Sequence, residues 1–212
     1  MSAFTEFSQL IFPSRCFGCR VLGPSICSAC RSDWHPHYYK SKFDALTVHS
    51  ALVYTPTASK IILAAKESNL KGADELIIEA IIHALNKAIP DTTLFRLVPI
   101  PSSKASQRRR GRSFVVDLVS QISQRTGIPM IDCLQLSRKV LDQSGLHRDE
   151  RASNLAGAFT LRSRVRGELI LVDDVVTTGA TLREATRAVN SQCFQTVGSV
   201  TAITACVAQP LR

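Results

Sequence analysis

Residues 169 to 181 read LILVDDVVTTGAT, and no other stretch constrains the fold as tightly. Four apolar residues run into two adjacent carboxylates. Two valines, hydroxyl-bearing residues, a glycine and a small alanine follow, and then the amphipathic ATLREATRAVN of 180 to 190. The pattern is the end of a buried strand, a tight loop and the start of a helix. Such a unit needs partners on both faces of its strand, and the rest of the chain supplies them. Strands are expected at 45–54, 94–101, 130–136, 168–172 and 196–207. Helices are expected at 58–66 and 73–89, separated by Gly72, at 113–127 with Gly127 as the terminating glycine, and at 180–190. Residues 137–159, rich in polar and charged side chains, read as a loop with a short helix. From about residue 45 onward strand and helix alternate, which predicts an α/β fold: a mainly parallel sheet flanked by helices.

In such sheets ligands bind beyond the carboxyl ends of the strands. Two loops fall there, one after LVPIP and one after LILV. In the second, the hydroxyls of Thr177, Thr178 and Thr181, loop N–H groups and the following helix start suit an anion such as phosphate. Gly179 lets the backbone come close to a ligand. Asp173 and Asp174, at the strand end, can accept hydrogen bonds from sugar hydroxyls or face a developing cation. A phosphate at one end and a diol at the other describe a ribose 5-phosphate.

Four of seven cysteines fall in CFGCRVLGPSICSAC: Cys16, Cys19, Cys27 and Cys30. Two CxxC knuckles present the four soft ligands of a tetrahedral, closed and therefore structural Zn²⁺ site. Disulfides suit secreted chains, and a redox CxxC normally occurs singly at a helix start. The first thirteen residues lack a basic region, and Glu6 interrupts their apolar run, so they do not read as a signal peptide. No run is long enough to span a bilayer, and a cytoplasmic chain without membrane insertion is expected. FTEFSQLIF, before Pro13, has helical spacing. The module of residues 1–42 then precedes a main domain of residues 43–212. Cys133, Cys193 and Cys206 sit among apolar residues and read as small buried hydrophobes. His35, His37, His83 and His147 read as loop or surface residues. Net charge is +9, concentrated in SSKASQRRRGRS and LRSRVRGE; such runs either attract polyanions or simply solvate a surface.

Taken whole, LILVDDVVTTGAT closely resembles the binding motif for 5-phosphoribosyl-1-pyrophosphate (PRPP) of type I phosphoribosyltransferases. The resemblance implies Asp173 and Asp174 on the ribose hydroxyls. It implies Val175 and Val176 leading into a 5-phosphate loop of Thr177, Thr178, Gly179, Ala180 and Thr181. Together with FPSRCFGC, CSAC, IILAAK ending in Lys66, VPIP, RRRGRSF and DQSGLHRDERASNLAGAF, the chain resembles the ComF family over nearly its whole length. In the last segment Gln143, Leu146, Arg151, Asn154 and Phe159 fall where that family has similar residues. One departure is RGRSFVVD, where the family often has a Phe-Asn-Gln-type run.

The resemblance implies a type I phosphoribosyltransferase-like fold with an N-terminal zinc module, PRPP bound with Mg²⁺, and a pyrophosphate loop of Ser102, Ser103 and Lys104. Arg108 to Arg110 lie close behind that loop, and residues 138–153 match the segment that closes over the site. Lys66 either reaches the phosphates or ends its helix in solvent. Two functions compete. One is phosphoribosyl transfer from PRPP to an acceptor that the sequence does not identify. The other is non-catalytic work in competence, where the chain binds single-stranded DNA during uptake. For the second, Trp34, Tyr38 and Tyr39 could stack bases, and the alternative is that they pack the zinc module onto the main domain.

Overall fold

Ser41 and Phe43 turn inward and Lys40 and Lys42 outward, and that alternation makes Tyr39–Phe43 the first strand, β1. The structure is a computed structural model and describes residues 15–68, 70–137, 155–193 and 197–208, without the side chains of 192 and 193. β1 was not among the expected strands, and it starts within the segment assigned to the zinc module. A two-residue turn with Asp44 at φ 55° folds it back antiparallel onto β2, Leu46–Val53.

The other strands of the main sheet are β3 (Phe95–Pro99), β6 (Gly167–Val176) and β7 (Val197–Val207). Their order is β1-β2-β7-β6-β3, and every pair except β1 with β2 is parallel. The carboxyl ends of four strands therefore share one edge. The expected strand at 130–136 is divided. Met130 forms a single bridge to Leu97 of β3, while β4 (Leu134–Leu136) pairs with β5 (Phe159–Leu161) in a separate two-stranded sheet.

Six helices are described: α1 (Ser28–Asp33), α2 (Pro56–Ser68), α3 (Lys71–Ala88), α4 (Lys104–Arg110), α5 (Phe114–Thr126) and α6 (Ala180–Cys193). Gly72 does not separate α2 from α3. It lies in the first turn of α3, where a Cβ would stand 3.2 Å from the Phe17 ring. Gly127 ends α5 in the left-handed conformation, φ 75°, as its place in the sequence predicts. α4 occupies a stretch expected to be loop.

Ile170, Val172 and Ile203 point to one face of the sheet and join the core built with α2, α3 and α5. Leu169, Leu171 and Ala202 point to the other face, where Leu182, Ala185 and Val189 of α6 cover them. Cys133 and Cys206 are fully buried, as expected, whereas the Cys193 side chain lies outside the described residues. The expected helix at 4–12 and the 138–153 segment also lie outside them. Among the described residues, no helix is long and apolar enough to cross a membrane.

Candidate functional site

β6 carries the chain to the shared carboxyl edge, and Asp173 and Asp174 sit near its end. Asp173 is half-buried and lines a pocket together with residues 175–182. Its Oδ1 accepts a hydrogen bond from the Asp174 N–H at 2.9 Å. Burial, and next the charge of Asp174, raise the Asp173 pKa well above the usual carboxylate range. Asp174 is only 4% exposed and faces away from that pocket. Its Oδ2 lies 2.6 Å from Lys66 Nζ in an ion pair. Burial by itself would lower the Lys66 pKa, but Asp174 and then Asp173 raise it. Lys66 is thus neither a solvated helix end nor an unpaired cation.

Beyond the acids the loop bends tightly. Gly179 adopts φ +71°, and a Cβ there would stand 2.5 Å from the Phe43 ring. Both facts require glycine: the left-handed conformation is costly for a side chain, and β1 leaves no room. α6 begins at Ala180, whose N–H donates to Thr178 Oγ1 at 3.4 Å. The first N–H groups of a helix have no partner within the helix, so this end of the pocket is a donor-rich, electropositive place. All the residues expected from Asp173 and Val175 to Thr181 line one pocket, and Asp174 stands behind it.

The loop after β3 lies beside this one, because Ile100 N–H donates to Val172 O at 3.0 Å, one residue before Asp173. Ser102 and Ser103 lie in the loop after β3, and Lys104 opens α4. Ser103 caps α4 by accepting from Ser106 N–H at 3.2 Å, and Gln107 Nε2 donates to Ser102 O at 2.9 Å. The Arg run is partly tied down. Arg109 and Arg110 both pair with Glu67, and Arg112 forks onto Asp74 at 2.6 and 2.8 Å while donating to Ala65 O at 2.7 Å. Arg112 and Lys66 also stand over the Phe114 ring, at 4.9 and 5.8 Å. Glu67 and Asp74 were not among the expected site residues; acids in helical segments opposite an Arg run are the signal the sequence carried for them.

The four knuckle sulfurs, of Cys16, Cys19, Cys27 and Cys30, all lie within 4.8 Å of one another. A Zn²⁺ holds each sulfur at about 2.3 Å, which puts the sulfurs roughly 3.8 Å apart, so the set fits that ion. Cys19 and Cys27 already stand at 3.7 Å. Gly18 is required in the first knuckle, since a Cβ there would fall 2.6 Å from Cys30 Sγ. Burial opposes ionisation of Cys16, but N–H groups of Cys19, Cys27 and Gly18 bring its pKa down to about 6. Burial, with the neighbouring sulfurs of Cys27, Cys16 and Cys19, pushes Cys30 up to about 12. The nest thus favours one thiolate and resists further charge, which a bound dication would reverse. Phe17 and Trp34 are buried in the main core, and Trp34 Nε1 donates to Leu76 O at 3.3 Å. Trp34 therefore packs the module and is not available to stack a base. Tyr39 packs partly into the core, and Tyr38 bonds His49 Nδ1 at 2.7 Å.

Of the segment implied to close over the site, only its flanks are described. Ser137 N–H donates to Ala158 O, and Leu136, Leu155 and Ala158 pack against Ala180 at the start of α6. Phe159 is held to α6 through Glu184, which pairs with Arg187.

No protein-family model matches the chain. Competence protein F of Haemophilus influenzae is 32% identical over 96 residues, which is 43% of this chain and 42% of that protein. The match thus spans less than half of the relative's length. Among solved structures, an adenine phosphoribosyltransferase aligns over 85% of this chain and 89% of its own, at 12% identity and a TM-score of 0.46. The Saccharomyces cerevisiae adenine phosphoribosyltransferase aligns over 86% and 89%, at 14% identity and a TM-score of 0.41. An orotate phosphoribosyltransferase from Aeropyrum pernix covers 82% and 77%, at 9% identity and a TM-score of 0.39. The chain is thus similar to Competence protein F over less than half its length, and it carries an N-terminal four-cysteine cluster and a mixed α/β fold around a mostly parallel sheet.

Proposed function

We propose that the chain binds PRPP, or a closely related ribose phosphate, with its 5-phosphate in the loop of Thr177 to Thr181 and its ribose hydroxyls toward Asp173, which Asp174 backs from behind the pocket. The observation that carries this reading is the single pocket joining Asp173 to the donor-rich start of α6 through a glycine that admits no side chain. An anion at the helix start and a diol at the Asp173 carboxylate have the chemistry of the two ends of one sugar phosphate. Mg²⁺ would arrive with PRPP on its diphosphate and supply charge neutralisation there. The Arg-rich α4 stands beside the site to favour the same leaving group, which gains charge as the glycosidic bond breaks. The activity that follows is transfer of the phosphoribosyl group to an acceptor with release of pyrophosphate. The four cysteines hold a structural Zn²⁺ that fixes the N-terminal module, residues 1–42, against the main domain.

A second reading has its own observation, the match to a competence protein. In it, the same basic surface binds single-stranded DNA in the cytoplasm without turnover. Pyrophosphate release from PRPP and Mg²⁺, measured across a panel of nucleobases, separates the two. Base-dependent release supports transfer. PRPP binding with no release on any base, beside single-strand binding that weakens steeply with salt, favours the second reading.

A further inference from the structure

From the geometry we infer that Lys66 is a positioning residue for the ribose end of the proposed site, fixing the Asp174 carboxylate from behind while Asp173 faces the pocket. The inference rests on the PRPP reading for its ligand, but not for its geometry. Neighbouring side chains near the end of β6 divide between two sides, as strand geometry requires. Asp173 lines the pocket, whereas Asp174 is 4% exposed and meets Lys66 Nζ at 2.6 Å. A carboxylate so enclosed is stable as an anion only beside a cation.

Lys66 is itself held in place. Its side chain is 21% exposed and lies over the Phe114 ring at 5.8 Å. The residue before it, Ala65, accepts from Arg112, and the residue after it, Glu67, pairs with Arg109 and Arg110. Three consecutive residues of α2 therefore bind the Arg-rich segment on one side and the acid pair on the other. The end of α2 fixes the distance between the elements that would hold the diphosphate and the ribose. The other groups bearing on the pair are Asp173, the buried thiol of Cys206 on β7, and Arg110 of α4.

The test uses the zinc-loaded, ligand-free chain with ¹³C-labelled Asp carboxyls, titrated with pH by NMR as wild type, Lys66→Met and Lys66→Arg. Asp173→Asn and Asp174→Asn assign the signals. Removing a cation this close raises the pH at which the acid pair ionises by about one unit or more in Lys66→Met. Lys66→Arg returns it toward the wild-type position. A midpoint unchanged in Lys66→Met, with thermal melting showing the variant folded, overturns the inference. PRPP titration of the same proteins then tests the positioning consequence, with affinity about tenfold lower or worse in Lys66→Met at neutral pH. Wild-type affinity in Lys66→Met also overturns it. If wild type itself ignores PRPP, the ligand reading falls, while the NMR titration still decides the ion pair.

Discussion

At the residue scale, burial and a like charge meet at Asp173. Its pKa is raised in the folded chain, first by burial and then by Asp174. A raised acid contributes stability below its unfolded value of about 3.9 and loses it as pH rises through the folded value. At neutral pH Asp173 therefore costs stability relative to low pH. Asp173→Asn keeps an acceptor for the Asp174 N–H and removes the charge. Its Tm should exceed that of wild type at neutral pH, and the gap should close as the pH is lowered toward 3.9. Each kcal/mol regained moves Tm by about 2–4 °C in a chain of this size. A lower Tm for Asp173→Asn at neutral pH would contradict the burial cost inferred here. The Arg112–Asp74 fork shows the opposite use of buried charge, a pair joined by two charge-assisted hydrogen bonds that holds elements together.

At the element scale, the four-cysteine module and the Arg-rich helix show what a sequence conveys and what it leaves out. Two CxxC knuckles were legible because ligand spacing is local, and the four sulfurs do converge. LILVDDVVTTGAT was legible for the same reason: strand, loop and helix start are contiguous in the chain. β1 was missed although YKSKF alternates, because Ser41 is not apolar and the period carries little contrast. α4 was missed because an Arg run gives no apolar stripe. What holds α4 in place, Glu67 on α2, is more than forty residues away in sequence. The Lys66–Asp174 pair was illegible for the same physical reason, since it joins the end of one helix to a distant strand. Removing zinc should loosen the module first. Phe17 and Trp34 belong to the main core, so chelation or Cys30→Ser should expose thiols and lower Tm without dispersing the sheet. Thiol labelling alongside circular dichroism measures both. Unchanged Tm and unchanged thiol protection after chelation would mean that the cysteine nest stands without metal.

At the scale of the whole molecule, parallel pairing of β2, β7, β6 and β3 brings the loops after β3 and β6 to one edge. The two half-cores, with α2, α3 and α5 on one face and α6 on the other, flank that edge and leave it open. The Arg-rich α4, the acid pair and the start of α6 meet there because the register of β3 against β6 places Pro99 opposite Val172. The central claim is that this edge is a ribose-phosphate site. Calorimetric titration of the zinc-loaded protein with PRPP and Mg²⁺, beside an Asp173→Ala, Asp174→Ala double variant, tests it most directly. Saturable binding to the intact protein that the double variant loses is the predicted result. No heat of binding from the intact protein, or equal binding by the variant, would contradict it.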